Sequence, residues 1–301
     1  MPRNRFLINI SSLFVPLLLT SFNAFAQDST LLKTLDDAIS KNIRKEYVQA
    51  TFKATQVINT PTIEAPPRGG LQFMIMHRFG KLNEGAYALF GLDNAGIRFG
   101  LDYGINDRLS IGLGRSSFDK VYDGYFKLKM LRQAKSKSPV SISLYESMNH
   151  VTLRYSDKPY ISGRYRSSYQ SALLIARKFS PRLSLQLTPS WLHYNLVPTP
   201  EDNNDAFALG MAGRIKLTKR TSLNAEYNYF PSDQTPGLPI YHSLSFGIDL
   251  ETGGHVFQLV FTNSQGMVGP YYLGKTTGSW ANGDIYFGFN VSRAFNLKKD
   301  R

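Results

Sequence analysis

The chain contains no cysteine, and outside its first 26 residues it has no long apolar run. The absence of cysteine excludes a disulfide framework, a thiolate nucleophile and a cysteine-ligated metal site. A membrane-spanning helix needs about 18 consecutive apolar residues, and stretches such as 172–176 (ALLIA) are far shorter. If this chain enters a membrane, it therefore does so as β-strands.

The first 26 residues have the parts of a secretory signal peptide. Arg3 and Arg5 form a positive n-region, residues 7–19 are mostly apolar, and 24–26 (AFA) fits a small-x-small cleavage site. Polar residues interrupt the apolar part, and no stop-transfer pattern follows, so a membrane anchor is disfavoured. We predict that residues 1–26 are removed on export.

The charge balance is strongly basic. The net charge is +13, and it becomes +11 when the two signal-peptide arginines are lost. Nucleic acid is not an expected partner, because the chain is exported and its lysines and arginines are dispersed. Outer-membrane lipid, lipopolysaccharide phosphate and a small anionic solute are the expected partners.

From about residue 70 to residue 295 the chain alternates apolar and polar side chains in segments of about ten residues, the length of a tilted transmembrane strand. Short links and longer connections separate these segments, as in outer-membrane barrels with tight periplasmic turns and longer outer loops. We predict an all-β fold: a transmembrane up-and-down antiparallel β-barrel of about twelve strands, with a short N-terminal helix. The predicted strands are 70–79, 96–105, 109–118, 122–133, 139–153, 161–179, 183–197, 206–217, 221–231, 241–251, 255–264 and 284–295.

Residues 27–68 precede the barrel. Apolar residues recur at every fourth position over 29–44, which predicts an amphipathic helix, and 47–58 is β-prone. The helix could lie on the periplasmic rim, enter the lumen as a plug or bind a partner, and a packed periplasmic cap is the favoured interpretation. The predicted organisation is thus 1–26 signal peptide, 27–68 periplasmic helix and extended segment, and 69–301 outer-membrane barrel.

The two faces of the strands differ in polarity. In the tenth predicted strand, Leu244, Phe246 and Ile248 alternate with Ser243, Ser245 and Asp249. A soluble barrel with an apolar core would alternate in the same way. The abundance of apolar residues over twelve strands, and aromatic residues near strand ends, favour lipid outside and a polar lumen inside.

The predicted lumen carries more positive than negative side chains, which favours anions. At twelve strands, a restricted channel and an interior filled by side chains are both open alternatives. The predicted lumen-lining residues are Arg98, Asp102, Lys127, Lys129, Arg164, Arg166, Lys178, Arg214, Lys216, Glu226, Asp249 and Glu251.

Catalytic and metal sites have weak signals. His150 lies near an outer strand end, where a cross-strand Ser167 or Ser168 is conceivable, but no triad spacing stands out. No set of histidine and carboxylate residues has metal-ligand spacing, so we predict no metal, no cofactor and no enzymatic activity.

Several motifs occur in the order of an uncharacterised outer-membrane β-barrel family of Bacteroidetes-type Gram-negative bacteria, classed as a domain of unknown function. Residues 100–105 (GLDYGI), 112–118 (GLGRSSF), 217–227 (LTKRTSLNAEY) and 251–267 (ETGGHVFQLVFTNSQGM) resemble that family. The resemblance implies an outer-membrane barrel and transfers no binding or catalytic residue. The last strand also resembles the aromatic-ended signal read by the barrel-assembly machinery, which is a further expected partner.

The predicted function is therefore a porin-like outer-membrane protein, either a narrow channel or a structural membrane component. The alternatives are a lipid-modifying hydrolase of the outer membrane, and a binding module that uses loop 265–283. A channel needs a continuous polar lumen, whereas a hydrolase needs a serine and a histidine in contact near the outer rim.

Overall fold

The computed structural model of the protein describes residues 32–34, 46–135, 137–158 and 160–297. The predicted signal peptide and most of the predicted helix over 29–44 lie outside the described residues. Residues 32–34 are helical and exposed. Within the described ranges, no helix is long and apolar enough to cross a membrane.

Twelve strands form one closed antiparallel barrel, in which each strand pairs with its neighbours in sequence and β1 pairs with β12. This confirms the predicted fold class and strand number. The strands are β1 Gly70–Lys81, β2 Ala95–Gly104, β3 Leu109–Ser116, β4 Val121–Leu131, β5 Ser141–Val151, β6 Ser167–Lys178, β7 Leu183–Tyr194, β8 Asp205–Lys216, β9 Thr221–Tyr229, β10 Ser243–Thr252, β11 His255–Thr262 and β12 Tyr286–Asn296.

The largest boundary error is at β6, which was predicted to begin at residue 161. Residues Gly163–Arg166 instead form a short 3₁₀ helix. The Arg166 guanidinium donates hydrogen bonds to the carbonyls of Ile161 and Leu153, at 3.1 and 2.5 Å. These contacts fold the connection back on itself, so pairing with β5 starts only at Ser167.

Three of the tight turns share one mechanism. Asn106, Ser180 and Thr218 each open a turn, and each accepts hydrogen bonds from backbone N–H groups two and three residues later. A side-chain oxygen that replaces a backbone acceptor stabilises a sharp reversal. All these turns lie at one end of the barrel, whereas the longer connections 82–94, 152–166, 195–204, 230–242 and 263–285 lie at the other end.

Burial follows the predicted alternation. In β10 the side chain of Phe246 is 47% exposed on the outer surface, whereas Ser245 is fully buried inside. The outer surface is a band of Phe, Leu, Ile and Met, and the inner surface is mainly Ser, Thr, Asn, Gln and charged residues. An apolar outside around a polar inside is the arrangement of a barrel that is solvated by lipid.

Candidate functional site in the barrel lumen

A hairpin formed by residues 51–64 occupies the lumen. The Val57 N–H donates to the Thr60 carbonyl, and the Thr62 N–H donates to the Thr55 carbonyl, both at 2.9 Å. The chain enters and leaves at the end with the tight turns, because Val48 bonds to Gln133 on one side and Gly69 bonds to Gly104 on the other. This part of the predicted periplasmic segment 27–68 therefore lies inside the barrel.

Glu226 of β9 holds the tip of this lumen hairpin. Its carboxylate accepts hydrogen bonds from the backbone N–H groups of Ile58, Asn59 and Thr60, at 3.3, 3.0 and 3.0 Å. Glu226 is 1% exposed. Three converging N–H donors are what a buried carboxylate needs in place of water, so this contact fixes the hairpin in the lumen.

Other inward-facing side chains of the barrel wall donate hydrogen bonds to backbone carbonyls of the hairpin. These bonds do not depend on the identity of the hairpin side chains. Lys127 donates to the carbonyls of Thr62 and Glu64 at 2.6 and 2.7 Å. Further wall donors reach the carbonyls of Val57, Ile58 and Pro61. These donors are Gln258 at 2.8 Å, Asn290 at 2.9 Å and Gln186 at 2.7 Å.

The hairpin also has an apolar side. Phe52, Val57, Ile58 and Ile63 form a buried cluster against a small apolar patch of the wall. The wall residues of this cluster are Leu174, Ala176, Ala212 and Val260, with Tyr145 partly buried beside them. The lumen is thus filled here by the chain itself.

The long connection 263–285 closes the lumen from the other end. Its helix α1, Gly269–Gly274, is wholly buried. Tyr272 and Leu273 pack against Leu192, Tyr194 and Phe230, and Tyr194 donates a hydrogen bond to the Pro270 carbonyl at 2.6 Å. A Cβ at Gly269 would lie 1.8 Å from the Gln170 amide oxygen, so any larger residue here would displace that buried side chain.

Two titratable groups hold this outer plug, which we define as residues 263–285. Tyr271 donates to the Asp119 carboxylate at 2.8 Å, and burial together with that charge raises the pKa of the tyrosine. At the mouth, Asp284 accepts from Asn83 at 3.0 Å, from Lys81 at 2.9 Å and from the Ser279 N–H at 3.1 Å. These bonds lower the pKa of Asp284 from 3.8 to about 2.

The predicted lumen residues are at inward-facing strand positions, with two exceptions. Arg164 and Arg166 lie in the 3₁₀ helix before β6, where Arg164 is exposed and stacks over the Tyr165 ring. Sequence reasoning placed them in the lumen because it started β6 too early. The others are Arg98, Asp102, Lys127, Lys129, Lys178, Arg214, Lys216, Glu226, Asp249 and Glu251.

The inward charges are largely paired. Arg98 bonds to Asp123, and Arg214 bonds to Glu251 at 3.0 Å, while Asp102 accepts from Thr55 of the lumen hairpin at 2.9 Å. Sequence reasoning missed Asp123 and also Arg78, which is fully buried and donates to Asn59. The alternation in β1 and β4 could have found both. When Asp123 and Arg78 are included, the inward-facing cationic side chains outnumber the inward-facing carboxylates only slightly.

A second polar site lies on the outer rim. His150 Nδ1 is 2.9 Å from the Ser167 hydroxyl oxygen, across the β5–β6 pair. Ser168 pairs with Asn149 instead, so it faces the lumen. The described part of the chain contains no group of three or more His, Asp or Glu residues able to hold a metal ion.

A closed barrel with an even number of strands, an apolar exterior and both termini of the sheet at the tight-turn end is a transmembrane barrel of the outer-membrane type. More particularly, the chain belongs to the family described as a membrane-bound beta barrel domain (DUF5777), whose model matches residues 52–295. The match includes the lumen hairpin from Phe52 onward.

Solved structures with a similar architecture include outer-membrane channels and porins. The COG4313 outer membrane channel from Pseudomonas putida F1 is 12% identical, with 77% of this chain and 98% of that chain covered and a TM-score of 0.47. The NanC porin is 7% identical over 75% and 98%, with a TM-score of 0.45. The KdgM porin in complex with disordered oligogalacturonate is 10% identical over 75% and 99%, also at 0.45. No curated protein matches the sequence.

Proposed function

We propose that the protein is a gated outer-membrane pore without enzymatic activity, and that its lumen hairpin and outer plug close it. The polar wall behind the hairpin is the observation that supports this function. A barrel that stays filled is stabilised at least as well by apolar packing as by buried charges. This wall instead carries Lys127, Glu226 and Arg78, which water can solvate once the hairpin leaves.

The way in which the hairpin is held also supports gating. The wall bonds mostly to the hairpin backbone, and water can take over each of those hydrogen bonds on release. Because the hairpin enters and leaves at the same end, it can withdraw without threading through the barrel. A small anion is the proposed solute, since inward cations exceed carboxylates slightly.

The test is single-channel conductance in planar bilayers for four proteins: the native chain, a chain lacking 51–64, a chain with 268–275 replaced by a short linker, and the double variant. We expect rare openings for the native protein and sustained conductance for the double variant. A double variant that is heat-modifiable on gels, and therefore folded, yet conducts no current would refute the pore.

A second candidate function, lipid hydrolysis, is favoured by the contact between His150 and Ser167. A histidine within hydrogen-bond distance of a serine can act as its general base. Within the described ranges the other ring nitrogen of His150 has no hydrogen-bond partner to orient it, which is why we rank this function second. Release of fatty acid from phospholipid by the native protein, lost in Ser167→Ala and kept in Ser168→Ala, would establish it.

A further inference from the structure

The outer surface carries one carboxylate where lipid is expected. Glu146 is the middle residue of β5, and it lies on the same face as Ile142, Leu144 and Met148. Among the outward-facing strand residues that the structure describes, Glu146 is the only acidic residue away from a strand end. Asp205, the other one, is the first residue of β8.

In the part of the chain that the structure describes, only one of the two carboxylate oxygens of Glu146 has a hydrogen-bond donor, which is the Ser171 hydroxyl. This hydroxyl donates a short hydrogen bond to Glu146 Oε2 across the β5–β6 pair. Across residues 46–297, where described, no donor bonds to Glu146 Oε1. A polar group in hydrocarbon is costly without a partner, and ionisable residues within membranes generally mark a contact or a pathway.

Hydrogen-bond donors lie beside the carboxylate on the same face. Trp191 pairs with Ser171, two strands from Glu146, and Tyr169 pairs with Met148. Adjacent strands are about 4.8 Å apart, so the Trp191 backbone is about 10 Å from that of Glu146. The indole is 36% exposed, and within the described chain its N–H has no acceptor.

This combination is self-complementary. A two-fold axis that passes between Glu146 and Trp191 makes the contacts of the two copies identical, so a bond from Trp191 of one copy to Glu146 of the other would form twice. The surrounding residues are apolar and exposed: Phe126 is 41% exposed, Met148 46% and Leu173 40%. Gly124, on the same face of β4, has no side chain to hold a second barrel away.

We propose that the outer face of β4–β7 is a contact surface for a second copy of this chain, in which Glu146 of each copy accepts a hydrogen bond from the second copy's Trp191. The neighbouring apolar residues pack around this pair. The proposal does not depend on whether the lumen opens.

The absence of cysteine allows a direct test. A single-cysteine variant, Met148→Cys, is reconstituted in phospholipid vesicles and oxidised with copper–phenanthroline. We expect a disulfide-linked dimer, because residue 148 lies within the proposed contact surface, two residues from Glu146 on the same face. The matched control is Leu259→Cys on β11, on the opposite side of the barrel and 41% exposed. Equal cross-linking at both positions, or none at residue 148, would overturn the proposal.

The role of the carboxylate is tested in the Met148→Cys background. Glu146→Leu removes one charge-assisted hydrogen bond per copy, two per dimer, and should lower the dimerisation constant by about 100-fold or more. Glu146→Gln keeps an acceptor oxygen and should retain most of the yield. Heat-modifiability on gels shows that each variant is folded, and an unchanged yield in Glu146→Leu would contradict the proposed contact.

Discussion

The contact between Glu226 and the hairpin tip can be perturbed by one isosteric change, Glu226→Gln. Hydrogen bonds to a charged acceptor contribute about 1.5–3 kcal/mol each, and the carboxylate receives N–H groups from three residues. The amide keeps one acceptor oxygen, and loss of a buried charge recovers some desolvation energy. We therefore expect hairpin release to become easier by about 2–4 kcal/mol, roughly 30- to 900-fold in equilibrium constant.

Hydrogen–deuterium exchange measured by mass spectrometry is the assay. Peptides that cover 55–62 should exchange faster in Glu226→Gln by a factor in that range, whereas peptides from β11 should not change. Asp205→Asn is the matched control, because it removes the same charge from an exposed pair with His193 outside the lumen. Unchanged exchange of 55–62 in Glu226→Gln would refute the anchoring role of Glu226.

Three further perturbations test other parts of the account. Phe246→Arg should destabilise the folded barrel in lipid by about 2–4 kcal/mol in urea titrations, while Tyr87→Arg, at a fully exposed loop residue, should have little effect. Because the pKa of Asp284 falls from 3.8 to about 2 on folding, its anchoring of the outer plug is present above pH 3.8 and is lost as the pH falls toward 2. Proteolysis of 263–285 should accelerate over that range, and Asp284→Asn should weaken the pH dependence. In the double variant lacking both plugs, Lys127→Glu should shift the reversal potential towards cations in a salt gradient, whereas Arg164→Glu, outside the lumen, should not.

The barrel was predictable because each of its features repeats. Alternation marks every strand, and the motif of a turn, an arginine and an entering strand recurs at 106–111, 180–185 and 218–223. The start of β6 was not predictable in this way. The 3₁₀ helix at 163–166 depends on hydrogen bonds from Arg166 to the carbonyls of Ile161 and Leu153 within the same connection, and strand periodicity does not record such contacts.

That a hairpin fills the lumen was harder to predict from the sequence. Residues 47–58 are β-prone, but a short polar hairpin has the same pattern on a periplasmic surface as inside a barrel. The partner of the hairpin, Glu226, lies more than 160 residues away. Alternation predicted a charged wall but overestimated its excess of positive charge, and the pairing of wall side chains with backbone groups of 58–64 requires the three-dimensional structure.

A reversible lock on the hairpin tests the central claim most directly. The Thr60 hydroxyl lies 3.5 Å from the Asn228 amide oxygen, so Thr60→Cys with Asn228→Cys places two thiols at contacting positions of hairpin and wall in a chain that has no other cysteine. The measurement is the conductance of this variant, with 268–275 replaced by a short linker, before and after reductant is added. We predict a closed pore when the disulfide is formed and openings after reduction. Equal current in the two states, or none in either, would contradict a pore gated by the lumen hairpin.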